Sequence, residues 1–277
     1  MGYGDLWDRG LYGIGGVSFH VLKEMKSACR VYDLLKMGPM DYMRVWRWQK
    51  ALMEDIHSRK KAGQMFSESL LLVEHSDVYT LGRGADSRFL LSEEAKRLAV
   101  RVERGGEVTY HGPGQIVLYP ILDLNQHRRD LHWYVRSLEE VVIRTLKTYS
   151  IHGGRSEVNS GVWVGADKVS AVGMTSSRWL TMHGLALNVS CDLSRYSDHI
   201  VPCGIEKEGR GVTSISRLME SKALIPSLED VGDRLLKEFS GVFELPLALA
   251  DNSELDTCLD RFPDIKSRQT ANILSLR

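Results

Sequence analysis

The sequence has no excess of charge of either sign. Lysine and arginine together number 36, aspartate and glutamate also number 36, and the formal net charge at pH 7 is +0. A strongly basic balance is the usual sequence sign of a nucleic-acid or anionic-membrane partner. The chain also lacks any apolar run approaching the roughly 20 residues that span a bilayer. We therefore expect neither a nucleic-acid partner nor a membrane.

Cysteine is scarce and widely spaced. The four cysteines, Cys29, Cys191, Cys203 and Cys258, are too dispersed in a chain of 277 residues to form a disulfide framework. A reducing compartment is the simplest inference. No CxxC pair or His/Cys cluster has the spacing of a zinc site, so we expect neither a metal nor a cofactor.

The chain contains no internal repeat and no break in composition. Hydrophobic residues make up 43% and charged residues 26%, the proportions of a soluble globular protein. The length suits one domain with its own core, which we place at residues 37–245. Residues 1–36 are expected to be an N-terminal extension and residues 246–277 a polar C-terminal tail. The extension resembles neither a signal peptide nor a transit peptide, and it leaves open whether a longer N-terminus precedes it.

Apolar periodicity predicts a mixture of helices and strands. Helical spacing appears at 41–59, at 131–150 and after Ser227, and a short helix is predicted at 92–98. Apolar runs predict strands at 67–75, 116–124 and 181–190. Two shorter runs, 161–165 and 168–173, flank a turn and predict a hairpin. Pro120 predicts an edge position or a bulge in its strand because proline cannot donate to a sheet.

A glycine-rich stretch lies between two strand-like runs. Residues 104–115 read Arg-Gly-Gly-Glu-Val-Thr-Tyr-His-Gly-Pro-Gly-Gln. Glycines permit sharp turns and close approach of the backbone to another group. A plain turn between strands is the simpler interpretation, but Thr109, Tyr110, His111 and Gln115 supply more polar groups than a turn needs. The stretch is therefore a candidate substrate-binding loop.

Cys203 is the candidate nucleophile. It lies between Pro202 and Gly204. Proline restricts the backbone dihedral angle before the cysteine and glycine leaves the backbone after it free, a local geometry that leaves the cysteine side chain accessible. Most unpaired cysteines are small buried hydrophobes, and a reactive thiol needs a neighbour that lowers its pKa. Lys168, His111 and His183 are the candidate partners, and composition does not choose among them.

Four separate segments, in this order, resemble the lipoyl(octanoyl) transferase family. They are residues 104–115, residues 161–165 with Lys168 and Gly173 behind them, residues 183–188 (His-Gly-Leu-Ala-Leu-Asn), and residues 200–205 (Ile-Val-Pro-Cys-Gly-Ile). The resemblance extends over about residues 41–217. Met174 and Thr175 depart from the family pattern, as does the approach to Gly161 at 156–160.

The resemblance implies an acyltransferase that carries out the first step of protein lipoylation. It would take an octanoyl group from octanoyl-acyl carrier protein and pass it to a lysine of a lipoyl domain, either in a 2-oxoacid dehydrogenase E2 subunit or in the glycine cleavage H protein. Carried over by position, Cys203 forms a thioester intermediate, and Lys168 lowers its pKa and acts as acid and base. The implied substrate contacts are Arg104, Gly105, Gly106, Glu107, Val108, Thr109, Tyr110, His111, Ala171, Val172, Gly173, Gly184, Leu185 and Ala186.

The resemblance also implies a fold and a compartment. The expected fold is an α+β arrangement of the biotin/lipoate protein ligase type, with a mixed, largely antiparallel β-sheet flanked by helices. The segment 131–140 and the extra N-terminal residues look closest to the plant plastid branch of the family, so a plastid is the expected location. A mitochondrion or a bacterial cytoplasm are the alternatives.

Three other functions remain open at this point. An ATP-dependent lipoate or biotin ligase of the same fold would form an acyl-adenylate and would not need Cys203. A catalytically silent protein would only bind acyl carrier protein or lipoyl domains. A thioester hydrolase would release free octanoate.

Overall fold

The computed structural model describes residues 28–156, 159–201, 211–219, 221 and 224–267. The strands are β1 (Cys29–Asp33), β2 (Ser69–Val73), β3 (Val78–Leu81), β4 (Ala99–Arg101), β5 (Val108–His111), β6 (Gln115–Ile121), β7 (Gly154–Arg155), β8 (Gly161–Val164), β9 (Asp167–Ser177), β10 (Leu180–Asn188), β11 (Gly211–Val212) and β12 (Leu247–Leu249). The α-helices are α1 (Tyr42–Lys61), α2 (Glu93–Leu98), α3 (Leu131–Lys147), α4 (Ser194–Ser197), α5 (Ile215–Leu218), α6 (Leu228–Phe243), α7 (Ser253–Asp260) and α8 (Pro263–Lys266). Short 3₁₀ turns lie at Leu35–Met37 and Ser87–Phe89.

Nine of the described strands form one mixed sheet. Their order is β12-β1-β2-β6-β10-β9-β8-β7, with β11 beside β9. The pairs β12/β1, β1/β2 and β11/β9 are parallel and the others are antiparallel. A second sheet has the order β4-β3-β5. The predicted α+β fold with a mixed, largely antiparallel sheet is therefore confirmed.

Alternation along the central strands gives the large sheet two apolar faces. On β6, Ile116 and Leu118 face a core completed by α3 and α6, whereas Val117 and Tyr119 face a core completed by α1 and α7. Successive side chains of a strand point to opposite faces, so one continuous apolar run can serve both helix layers.

The predicted helices form where periodicity and an N-cap coincide. The Asp41 carboxylate accepts a hydrogen bond from Arg44 N at 2.8 Å at the start of α1, and Asp130 does the same for Trp133 N at 3.0 Å at the start of α3. Such caps satisfy backbone N–H groups that the first turn leaves unpaired. The predicted strands and the hairpin of β8 and β9 are also confirmed.

Of the two alternatives expected for Pro120, an edge position or a bulge, the edge position is wrong, because β6 lies between β2 and β10 in the middle of the sheet. Pairing of β10 with β6 runs only as far as Leu185 opposite Leu118. Pro120 lies just past that point, and its carbonyl accepts a hydrogen bond from the Thr181 hydroxyl at 2.8 Å. The proline is tolerated because the ladder is interrupted where its missing N–H would have been used.

Both expected ends of the domain differ from the structure. Part of the predicted extension forms β1, whose Cys29 and Val31 are buried, and part of the predicted tail forms β12 and α7. In α7 the buried residues Leu255, Cys258 and Leu259 have the spacing of one helix face. Elements this short carry too few apolar residues to stand out against their charged neighbours. No described helix has the length and apolarity needed to cross a membrane.

Candidate active site

A pocket lies between α1, the loop before β5 and the strands β6, β9 and β10. It brings together residues from all three segments that the resemblance marked as substrate contacts. The lining residues are Tyr42, Arg104, Gly105, Gly106, Thr109, His111, Val117, Tyr119, Ser160, Lys168, Ala171, Val172, Gly173, His183, Gly184, Leu185 and Ala186.

Glycines allow the loop to cover the sheet closely. Gly173 on β9 lies opposite Gly184 on β10, and the backbone N–H of Gly105 donates to the carbonyl of Met174 at 3.0 Å. A Cβ added to Gly173 would lie 3.2 Å from Arg104 Cδ and 3.3 Å from Gly105 O, and one added to Gly184 would lie 2.2 Å from Leu118 O. A side chain at Gly173 would push the covering loop away from the sheet, whereas one at Gly184 would collide with the backbone of β6.

The strand β5 contributes only every second residue to the pocket. Thr109 and His111 line it, whereas Val108 and Tyr110 are buried in a separate apolar cluster on the other side. The Tyr110 hydroxyl donates to Asp77 at 2.6 Å on that side. Of the implied substrate contacts, Val108 and Tyr110 lie outside the pocket lining because the alternation of the strand turns them away. Glu107, which precedes β5, is also outside the lining.

Lys168 lies at one end of the pocket, near the start of β9, and is 5% exposed. Its Nζ is 5.1 Å from the ring centroid of Trp163, a cation–π distance. Gly161 has a φ of 131°, and a Cβ there would lie 3.3 Å from Lys168 Cε and 2.3 Å from Ser170 O. The glycine leaves room for the lysine stem to pack against β8.

Cys203 falls within residues 202–210, outside the described part of the chain. The chain re-enters at β11, where Gly211 lies opposite Asp167 and Val212 opposite Lys168. The N–H of Thr213 then donates to the Lys168 carbonyl at 2.9 Å. The residues that directly follow 202–210 are thus paired with the strand that carries the lysine.

Arg104 fixes the loop rather than projecting into solvent. Its guanidinium is buried, and its Nη2 donates to the Thr80 carbonyl at 2.6 Å and to Thr80 Oγ1 at 2.8 Å. Its Nη1 donates to the Gly105 carbonyl at 2.9 Å. Hydrogen bonds from a charged group to buried acceptors are among the stronger ones, so this side chain holds the roof of the pocket in place.

The histidines beside the pocket are buried. Burial, followed by the nearby His75, lowers the pKa of His111 to about 3. Burial likewise lowers the pKa of His75 to about 4. His75 Nδ1 lies 3.2 Å from the Met40 carbonyl, which can only accept, so the Tyr119 hydroxyl donates to Nε2 at 2.8 Å. Both rings are therefore neutral near pH 7.

The stability of the fold is expected to fall as the pH drops below about 6.5. An unfolded histidine binds a proton near that pH, whereas folded His75 stays neutral down to about pH 4. Its stabilising contribution is therefore complete above pH 6.5 and is lost as the pH falls towards 4, by about 3 kcal/mol. Urea unfolding at a series of pH values measures this. His75→Gln keeps one donor and one acceptor and should flatten the slope, whereas the change of exposed His132 to Gln should not.

The buried carboxylate of Glu139 holds the start of β8 next to Lys168. Glu139 of α3 is fully buried, and its Oε1 accepts a hydrogen bond from the Gly161 N–H at 2.9 Å. Its Oε2 accepts from Arg136 Nη1 at 2.8 Å and lies 3.4 Å from Arg155 Nε. The carboxylate thereby links α3 to the start of β8, next to Lys168.

Replacing Glu139 by Ala is expected to lower the free energy of unfolding by about 3 kcal/mol, because it leaves the buried Gly161 N–H and the Arg136 guanidinium without their acceptor. Glu140 is the matched control: it is one residue away, partly exposed, and pairs with Arg144 at 3.0 Å and with Arg155 at 2.5 Å. Its change to Ala should cost less than about 1 kcal/mol. Equal losses in chemical unfolding would show that Glu139 is no more than a surface ion pair.

Several lining residues were not predicted as site residues. Tyr42, Val117 and Tyr119 belong to a helix and a strand whose apolar patterns indicated core packing, and Ser160 lies in a segment without a pattern. A tyrosine on a buried strand face, which needs a partner for its hydroxyl, was the available signal for Tyr119. Within the described ranges, no three His, Cys, Asp or Glu side chains lie close enough together to hold a metal ion.

The sequence matches the family described as the lipoyl protein ligase A/B catalytic domain over residues 41–240. The chain belongs to this family. Similar proteins include the chloroplastic octanoyltransferase LIP2p2 of Arabidopsis thaliana, which is 44% identical over 228 residues covering 79% of this chain and 80% of that protein. The octanoyltransferase of Flavobacterium johnsoniae is 44% identical over 228 residues, which cover 76% of this chain and 96% of that protein. The predicted acyltransferase class is confirmed.

Solved structures of lipoate ligases have the same fold as this member of the family. Lipoate-protein ligase A bound with ATP has a TM-score of 0.69 at 12% identity and covers 91% of this chain and 100% of that one. A bi-partite lipoate protein ligase from Thermoplasma acidophilum has a TM-score of 0.64 at 15% identity and covers 90% and 98% of the two chains. The predicted lipoate ligase type of fold is therefore confirmed.

Proposed function

We propose that this protein transfers an octanoyl group from octanoyl-acyl carrier protein to a lysine of a lipoyl domain, through a thioester on Cys203. The observation that carries the proposal is the pocket itself. Buried Lys168 lies at one end of the pocket and is paired with β11. That strand directly follows residues 202–210, which include Cys203. Three glycine-containing segments enclose the rest of the pocket. Relatives that share 42–48% identity with the chain and are named octanoyltransferases support the choice of acyl group.

The acyl chain would lie along β9 and β10. Val117, Ala171 and Ala186, which lie on the α1 side of the sheet, give the pocket apolar walls. Each buried methylene contributes about 0.8 kcal/mol, so burial of an octanoyl chain supplies several kcal/mol of recognition. Val117 and Ala186 also belong to the apolar core on that face, so they serve the core and the pocket together, whereas Val172 and Leu185 belong to the core on the opposite face.

The reaction would proceed in two half-reactions. The Cys203 thiolate attacks the carbonyl carbon of the incoming thioester, the bond from that carbon to the carrier's sulfur breaks, and the carrier thiolate takes a proton from Lys168. The acceptor amine then attacks the new thioester on Cys203, the carbon–sulfur bond breaks, and Lys168 takes the proton that the amine loses. A covalent intermediate of this kind gives ping-pong kinetics.

The acceptor would be a lipoyl domain of a 2-oxoacid dehydrogenase E2 subunit or the glycine cleavage H protein. The Thermoplasma acidophilum ligase is described together with its E2 lipoyl domain, which supports an acceptor of this class. The chloroplastic Arabidopsis relative supports a plastid. Bacterial relatives are equally similar, so a mitochondrion or a bacterial cytoplasm remain the alternatives.

Intact-mass measurement tests the proposal. The chain is mixed with octanoyl-acyl carrier protein without ATP, and a mass increase of one octanoyl group is expected, followed by its loss when a lipoyl domain is added. Strict dependence on ATP would instead indicate a ligase that forms an acyl-adenylate. Release of free octanoate in the presence of acceptor would indicate a hydrolase. Binding of both partners with no adduct and no transfer would indicate a silent binding protein.

A further inference from the structure

The end of the pocket opposite Lys168 is formed by a histidine in an unusual conformation. His183 lies on β10 opposite Met174, six residues along β9 from Lys168. At about 3.3 Å per residue, the two ends are about 20 Å apart along the strand. The Tyr119 ring meets the His183 ring edge-on, with centroids 6.3 Å apart. His183 is 2% exposed, so the pocket is closed on this side.

The backbone holds this imidazole in place at a cost. His183 has a φ of 62°, the left-handed region that side chains rarely occupy, and its N–H donates to Gln49 Oε1 of α1 at 3.0 Å. Strained residues of this kind persist only where surrounding contacts over-determine them, and they cluster at binding sites. The strain coincides with the end of pairing between β10 and β6 at Leu185. The conformation is therefore built into the wall of the pocket.

A partly buried ion pair lies directly behind the ring. Glu103 Oε2 is 3.6 Å from His183 Nε2, just beyond hydrogen-bonding distance, and accepts a hydrogen bond from Trp46 Nε1 at 2.9 Å. The other oxygen of Glu103 pairs with Lys50. Burial alone would raise the pKa of Glu103, but the contacts with His183, Lys50 and Trp46 outweigh it and hold the pKa well below its usual range.

We infer that His183, backed by Glu103 and Lys50, is the stop that sets the upper limit on acyl-chain length. The inference rests on the proposed function. A chain longer than the pocket would have to displace the imidazole and place methylenes against a carboxylate and an ammonium group. Removing water and partners from such charges is costly. The apolar walls thus end at a polar boundary that a hydrocarbon tail does not cross.

The dimensions agree with a chain of about eight carbons. Seven carbon–carbon bonds of about 1.5 Å in a zigzag extend about 9 Å. The spacing of about 20 Å along the strand therefore leaves room for the thioester at one end and the imidazole at the other. An extended octanoyl chain that starts at a thioester beside Lys168 would therefore end near the His183 and Tyr119 rings.

Replacing His183 by Gly tests the inference without adding strain, because glycine adopts a positive φ readily. The measurement is kcat/KM for octanoyl-, decanoyl- and dodecanoyl-acyl carrier protein. We expect the ratio of decanoyl to octanoyl transfer to rise about tenfold or more, since two further methylenes find apolar contacts. Glu103→Gln, which removes the charge and keeps the shape, should raise the ratio by a smaller factor.

The matched control is Glu244→Gly. Glu244 also has a left-handed φ, of 51°, but it is an exposed residue at the end of α6, away from the pocket lining. Its change should leave the chain-length ratio unaltered. If H183G is poorly folded, His183→Asn takes its place, because asparagine tolerates the left-handed region and is smaller. An unchanged ratio in a folded variant would overturn the inference, whereas a wild-type protein that transfers no octanoyl group would refute the proposed function instead.

Discussion

Cys203→Ser is expected to abolish the octanoyl adduct and to lower acyl transfer by at least about 10³-fold. The hydroxyl is a far weaker nucleophile than a thiolate, and loss of the nucleophile removes the covalent intermediate on which both half-reactions depend. The measurement is intact mass after incubation with octanoyl-acyl carrier protein, together with the initial rate of transfer to a lipoyl domain. The variant should still bind the carrier protein, since the pocket is unchanged.

The other cysteines provide the control. Cys258 of α7 is buried and lies away from the pocket lining, and its pKa is raised, first by burial. Burial likewise raises the pKa of Cys191 to about 12. Thiols of this kind are poor nucleophiles near pH 7, so Cys258→Ser should keep the adduct. Octanoylation of the Cys203→Ser chain, or its transfer at the wild-type rate, would refute the thioester intermediate.

The sequence predicts those parts of the fold in which local signals agree. In α3, helical periodicity, an Asp130 cap and a basic last turn coincide, and the helix forms where it is predicted. The short edge strand β12 and the helix α7 have no such agreement. They form because contacts with distant parts of the chain bury them, and the local sequence carries no pattern that predicts this burial. Beside β12, for example, Ala250 N donates to the Val31 carbonyl at 2.9 Å.

The same distinction applies to the pocket. Gly105, Gly173 and Gly184 could be singled out from the sequence because close approach of backbones demands glycine, and the structure places all three in the lining. Glu139 and Gln49 could not, since each supports the site by accepting a hydrogen bond from a backbone N–H that is distant in the sequence. A carboxylate or an amide in a helix has no local feature that marks it as buried.

Lys168→Met is expected to slow acylation of Cys203 by about 10² to 10³-fold while the fold is kept. Methionine retains an apolar stem against Gly161 and the Trp163 ring and removes only the ammonium group. General acid–base assistance contributes factors of this size. The thiol should also lose the cation that favours its thiolate. The rate of alkylation by iodoacetamide, followed against pH, should therefore move its midpoint to higher pH.

The matched control is Lys266→Met. Lys266 is exposed on α8 and pairs with Asp260 at 2.6 Å. Its replacement therefore removes one positive charge from the protein at a position outside the pocket. Its alkylation profile and transfer rate should equal those of the wild type. Because Lys168 would serve both half-reactions, its replacement should slow acylation and deacylation alike. In single-turnover experiments the octanoyl adduct should form more slowly but reach the same final amount. An alkylation profile identical to that of the wild type would remove the lysine from the mechanism and leave the thiol to be activated by another group.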